Sequence, residues 1–283
     1  MSDHATQPEK TSPAPLFNGK GGYTSLTSKT FKGARGAILT MTNPTNKVNT
    51  VPPEALLEIN QALDLVENEA GFTFLIIKGT ADKIHAGADV KMFSGGLTLE
   101  QSPPDYEKIR AYLHNGTLLD LRIKKLSRKM TTVSMMEGER FGGSVEWPLM
   151  TQFSVASADA GISLSEPTIG IIPGWNGILN ILLKSGIANA LYLGTTCRRI
   201  GAQQMLEAGI VSAVASPETV MDTTLELAVT ATQSIGKSTS RVRFASEEEL
   251  FAILAQRMDT GRYHALAGEM KKAQETPGAD PKE

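Results

Sequence analysis

Apolar positions recur along the first two-thirds of the chain in two alternating rhythms. Residues 33–41 (GARGAILTM) and 72–79 (FTFLIIKG) are short runs rich in β-branched and aromatic residues, the pattern of buried strands. Between them, Ala55, Leu56, Ile59, Ala62, Leu63 and Val66 repeat at helical spacing. Pro52 and Pro53 stand at the start of that stretch and Gly71 stands beyond its end, which predicts a helix over 53–69. Strand, helix, strand in this order implies parallel strands of one sheet, because a parallel pair needs a crossover. A charged helix is expected over 105–128, and strands at 131–137 and 153–157. Helices are then expected at 176–185, 187–193, 202–208, 217–234 and 246–275. The region 94–104, rich in Gly, Ser and Pro, reads as a loop.

Composition narrows the chemistry. The chain has 283 residues with 28 Lys plus Arg against 30 Asp plus Glu, a net charge of -2. Such balance argues against a dedicated nucleic-acid binder, whose affinity rests on phosphate neutralisation. One cysteine, Cys197, forbids an intrachain disulfide and a cysteine-rich metal site. The four histidines (His4, His85, His114 and His264) lack the i, i+4 spacing of a zinc helix. No apolar run approaches the roughly 18 residues needed to cross a membrane. Residues 1–18, with three Pro and no Arg, read as a disordered leader rather than a targeting signal, so a cytoplasmic protein is expected.

Three segments carry candidate chemistry. His85-Ala86-Gly87-Ala88-Asp89-Val90-Lys91 follows the second strand, where small residues let a ligand approach the backbone. Gly138 to Glu146 runs from a strand through Gly142-Gly143 to Ser144, read here as an N-cap, with Glu146 in the first helical turn. Leu164 to Gly174 contains Glu166, the sole charge between Ala160 and Leu183. A carboxylate in apolar surroundings is held toward its neutral form and suits acid–base work near neutrality. Each segment alone also has a plain structural reading: a tight turn, a dipole-compensating acid, a loop-end carboxylate. Together they offer two backbone donor turns and two carboxylates, the needs of enolate chemistry on a thioester.

The combination resembles the crotonase, or enoyl-CoA hydratase/isomerase, superfamily. The residues that carry the resemblance are Ala86-Gly87-Ala88-Asp89, Gly138 to Glu146, and Ser165-Glu166 through Gly170 to Pro173-Gly174. Arg199 to Ala202 and Glu207 to Val211 add to it, so the likeness covers about 33–215. It implies an α/β crotonase-like fold of stacked strand–strand–helix units in two sheets. Its core would span 19–215, followed by a C-terminal helical assembly region over 216–283.

The resemblance also implies roles. Ala88 and Gly143 match the two residues whose N–H groups form the family's oxyanion hole. Glu146 and Glu166 match the two carboxylates of the hydratases, which add water across a 2-enoyl-CoA in syn fashion to give a 3-hydroxyacyl-CoA. Ala86 and Gly87 would line the CoA path, with Lys91 near it. The implied partner is an acyl-CoA thioester, and coenzyme A is part of that substrate rather than a separate cofactor. No metal, nucleic acid or membrane is implied, and the assembly would be a homotrimer or a dimer of trimers. Other readings on the same fold are an isomerase, a ring-opening hydrolase or a non-catalytic acyl-CoA binder. Arg140 and Phe141 stand where the family has small residues, Ser144 replaces a third Gly, and Asn176 replaces another. These departures place Arg140 as a cation near the acyl site. His85 reads as a solvated loop residue with the CoA route as the alternative, and Trp175 as packing.

Overall fold

The computed structural model of the protein describes residues 15–89 and 106–237. In chain order the elements are β1 (Phe17–Asn18), β2 (Thr24–Phe31), β3 (Ala34–Met41), β4 (Asn49–Thr50), α1 (Pro53–Asn68), β5 (Phe74–Lys78) and β6 (His85–Gly87). Next come α2 (Tyr106–Ser127), β7 (Thr131–Met136), β8 (Glu139–Phe141), α3 (Gly143–Glu146), β9 (Phe153–Ser157) and β10 (Gly161–Ser163). The last are α4 (Gly177–Ser185), α5 (Ile187–Thr196), β11 (Ile200–Gly201), α6 (Ala202–Glu207), β12 (Ala213–Ala215) and α7 (Val220–Lys237).

Two sheets result. The larger has the order β1-β2-β3-β5-β7-β9-β12, and the smaller β11-β10-β8-β6-β4. In the large sheet the pairs from β3 onward are parallel, with β1–β2 and β2–β3 antiparallel. The chain visits the sheets in turn. Each of β3, β5, β7 and β9 is followed by a short strand of the small sheet (β4, β6, β8 and β10). A helix or helical turn then starts the next unit, the stacked strand–strand–helix arrangement.

The side-chain pattern explains the layers. On β5, Leu75 and Ile77 face one way and join the buried stripe of α1, which comprises Ala55, Leu56, Ile59, Ala62, Leu63 and Val66. Phe74 and Ile76 face the other way and pack with Val220, Leu225, Ala228 and Val229 of α7. A strand covered on both faces needs apolar residues at consecutive positions, which is why this run does not alternate. A third cluster lies under α4, α5 and α6. Among the described residues, no helix is long and apolar enough to cross a membrane.

The expected boundaries shift at both ends. Phe17 and Asn18, placed in the leader 1–18, pair with Leu26 and Ser25 as an edge strand. The core does not stop at 215, because α7 packs on Phe74, Ile76, Val133, Met135 and Val155 of the large sheet. Residues up to Gly236 form one compact unit, and the second unit begins at Lys237. The helix expected over 246–275 lies outside the described residues. Differences also occur inside the core. β2 and the strands of the small sheet were not expected. Where a helix capped by Ser144 was expected, the cap position is Gly142, at φ +57°, and α3 is a single turn. It passes directly into a 3-10 turn over Trp147–Met150 at Pro148, whose missing N–H ends the α-helical bonding. A chain ended after Ala215 would expose the Phe74–Ile76–Val133–Met135 face. It is expected to lose the cooperative thermal transition of the full chain in near-UV circular dichroism.

Candidate active site

The three sequence segments leave from neighbouring strands of the small sheet. Arg140 of β8 pairs with His85 of β6 on one side and with Ile162 of β10 on the other. The three strands run parallel, so the turn after Gly87, the turn at Gly142–Gly143 and the segment leading to Glu166 emerge side by side at the same end of the sheet. Gly142 N–H donates to Ser163 O at 3.0 Å, which extends the ladder into the turn.

The first two turns are in direct contact. A Cβ placed on Gly87 would lie 2.5 Å from the Gly143 amide nitrogen and 2.7 Å from that of Ser144. Gly87 also has φ +67°, a left-handed conformation costly for residues with a Cβ. Only glycine meets both demands, so this position sets the backbone of the first turn, at Gly87, against that of Gly143. Ser144 fastens the arrangement. Its hydroxyl lies 2.6 Å from His85 O and 2.8 Å from Phe141 O, and it accepts from Phe141 N–H at 2.9 Å. Gly143 is the first residue of α3, so its N–H has no acceptor within the helix. Ala86 lies on β6 beside Gly87, and Lys91 lies outside the described residues.

The two carboxylates converge on the same place. Glu146, in the last position of α3, is buried, and its Oε2 accepts from Trp175 N–H at 2.8 Å and Gly177 N–H at 2.7 Å. Burial pushes its carboxyl up to about 8, and the nearby charge of Glu166 adds to the shift. Glu166 is also buried, and burial raises it above the usual carboxylate range. Its Oε1 lies over Gly142, 3.1 Å from where a Cβ would stand, and its Oε2 has no hydrogen-bond partner among the described residues. Both acids are thus held toward the neutral form, Glu146 in part through the charge of Glu166.

Contacts between segments far apart in the sequence also shape this place. Trp175 is buried with its indole against Gly143, where a Cβ would lie 3.1 Å from Cζ3. Its other edge lies against Gly116 of α2, and the Tyr112 ring of the same helix packs on it in a tilted contact, 5.1 Å between ring centroids. Asp120, fully buried on α2, accepts from Asn176 Nδ2 at 2.7 Å and Asn180 Nδ2 at 3.2 Å. Asn176 has φ +66°, so this bond holds a non-glycine residue in a left-handed turn between the two amides that grip Glu146. The substitution of Asn176 for glycine was visible in the sequence. Its partner, 56 residues away, was not.

Two expectations are corrected. Arg140 is not beside the carboxylates. Its guanidinium is fully buried over the Trp147 ring at 5.1 Å, and the charge that acts on it is Glu137. His85 is not solvated. It is 1% exposed, with Nδ1 3.0 Å from Asn49 Nδ2 and Nε2 3.0 Å from Thr80 O. The carbonyl can only accept, so Nε2 carries the proton and Nδ1 accepts from Asn49, a neutral ring with both nitrogens used.

The chain matches the enoyl-CoA hydratase/isomerase family model over residues 34–264. It belongs to that family. Solved structures agree on the fold. Pseudomonas aeruginosa DspI is 20% identical with a TM-score of 0.65, the alignment covering 85% of this chain and 94% of that one. An enoyl-CoA hydratase from Bacillus anthracis is 21% identical with a TM-score of 0.63, covering 87% and 96%. A protein from Thermobifida fusca YX, solved in complex with acetoacetyl-CoA, is 18% identical with a TM-score of 0.59, covering 88% and 94%. These similarities place the two sheets and their intervening turns within the crotonase fold.

His85 gives a pH signature. Burial, reinforced by the charge of Arg140, lowers it from 6.5 to about 3. Between those values the unfolded chain binds the proton and the folded chain does not, so stability rises with pH from about 3 to 6.5 and is flat above. Urea unfolding at stepped pH is expected to lose roughly 1.4 kcal/mol per pH unit from this group below 6.5. A His85→Gln variant is expected to lose that component of the slope.

Proposed function

We propose that this family member is an enoyl-CoA hydratase, adding water reversibly across the 2,3 double bond of a 2-enoyl-CoA. The observation that carries the reading is the convergence of two buried carboxylates, Glu146 and Glu166, on two adjoining backbone turns. The N–H groups of Ala88 and Gly143 would donate to the thioester oxygen and stabilise the charge that develops there. Glu146 would take a proton from water as its oxygen bonds to C3. Glu166 would deliver a proton to C2 on the same face, which makes the addition syn. A single proton on the two carboxyls would suit both directions. With the proton on Glu166 the pair is set for hydration, and with it on Glu146 for loss of water. Ala86 and Gly87 would border the CoA path, as would Lys91.

Two further features accord with this reading. An acyl-CoA brings its own thioester activation, so the acid–base work needs no metal or redox cofactor. Ile187, Leu191 and Tyr192 leave an exposed apolar row on α5, which suits self-association as a homotrimer or a dimer of trimers.

Replacing Glu166 with Gln keeps the shape and removes the proton. Turnover of 2-butenoyl-CoA, followed by loss of the conjugated thioester absorbance, is expected to fall by about 10²- to 10⁴-fold. Binding of butanoyl-CoA is expected to persist. Hydration at the original rate by this variant would remove the assignment. A second signature is pH. Activity needs one proton on the pair, and the pair loses its last proton near the value of about 8 set by Glu146. The profile of kcat/KM is therefore expected to be bell-shaped with its alkaline limb near pH 8.

A further inference from the structure

We propose that Trp175 is the end wall of the acyl site and restricts this enzyme to short, crotonyl-sized acyl groups. The inference rests on the reading of Ala88, Gly143 and Glu146 given above. If the thioester oxygen lies at the two donor amides and Glu146 works at C3, acyl atoms beyond C3 must continue past the Glu146 carboxylate. The residue that meets them there is Trp175. Its own N–H bonds to Glu146 Oε2 at 2.8 Å, and its indole lies against the α-carbon of Gly143. The space between the donor turn and α2, where a longer chain would run, is filled by this ring.

The ring is built in rather than resting there. A Cβ on Gly116 would come within 2.0 Å of indole Cδ1 and Nε1, so α2 presents a glycine where the ring needs it. Tyr112 packs on the ring in a tilted contact and is itself anchored by its hydroxyl to Val51 O. On the chain side, Asn176 is bonded to the buried Asp120 of α2, and the following Gly177 N–H is bonded to Glu146. Indole, backbone and neighbouring side chain are thus each tied to α2 or α3. Moving the ring to admit a longer chain would break several of these contacts at once, so it acts as a wall and not as a freely swinging lid. The buried indole Nε1–H has no partner among the described residues.

The test compares chain lengths with and without the ring, using two independent readouts. Calorimetric binding of butanoyl-CoA and octanoyl-CoA requires no reaction, and hydration of 2-butenoyl-CoA and 2-octenoyl-CoA reports kcat/KM. The native protein is expected to favour the four-carbon ligand in both. In Trp175→Ala the preference should move toward eight carbons. Four added methylenes at about fourfold each set the scale, a change of roughly 10- to 200-fold in the ratio. Trp175→Phe, which retains an aromatic filler, should move it the same way by less and covers the case in which the alanine variant does not fold. Gly116→Ala should also change the ratio, since it displaces the ring without removing it. If binding discriminates as described while no enoyl-CoA is hydrated, the wall stands and the hydratase reading fails. If 2-butenoyl-CoA is hydrated but the length ratio is the same in the native protein and the folded Trp175 variants, the wall is wrong and the hydratase reading survives.

Discussion

Three short parallel strands held in register are what the rest of the site depends on. Arg140 of β8 pairs with His85 of β6 and with Ile162 of β10. That ladder lines up the ends of three chain segments which are far apart in sequence. It leaves room for only one kind of turn between β6 and α3, one in which Gly87 lies against the Gly143–Ser144 backbone. A one-residue slip would move the Gly142 turn away from the turn after β6 and separate the two groups of amides. The strands are too short to hold this register alone. The Ser144 hydroxyl, bonded across the turns to His85 O, and the His85 ring, bonded to Asn49 and Thr80, supply side-chain support at the same point.

From that frame the electrostatics follow. Glu146 is taken out of water by the packing of α3 between the sheets, and two backbone amides of the 175–177 segment accept the task of holding it. Those amides favour the ionised form, yet burial and the nearby Glu166 outweigh them and the carboxyl stays high. The same two bonds fix where Trp175 sits. In the proposed reaction, a single buried carboxylate would therefore couple proton chemistry to the shape of the acyl site. Asp120 on α2 supports the coupling from behind by holding Asn176 in its left-handed turn.

The long elements were legible in the sequence, and the reason is length. α1 shows three turns of apolar spacing, and β5 shows a full apolar run, so their patterns survive without tertiary help. The small sheet was not legible because β6, β8 and β10 each have three residues, too few for a period to emerge. Glu146 and Glu166 could be named because isolated acids stand out in apolar surroundings, and Ala88 and Gly143 because the segments around them resemble the motifs of the family. What they meet could not. His85 was read as solvated because a loop histidine usually is, and Arg140 as a cation near the acyl site because it stands beside the glycine turn, whereas both are buried. Trp175 was read as packing. It does pack, but its partners Gly116 and Gly143 come from α2 and α3, and only the fold shows that the packing fills the place beside the donor turn.

The central claim is that two buried carboxylates and two adjoining amide turns act together to add water to an enoyl thioester. The direct measurement is incubation of the native protein with 2-butenoyl-CoA in ¹⁸O-labelled water, followed by mass analysis of the intact thioester. The account predicts 3-hydroxybutanoyl-CoA carrying the label on its hydroxyl, with the CoA bond unbroken. Labelled free acid, or recovery of an unlabelled enoyl-CoA with no hydroxylated product, would contradict it.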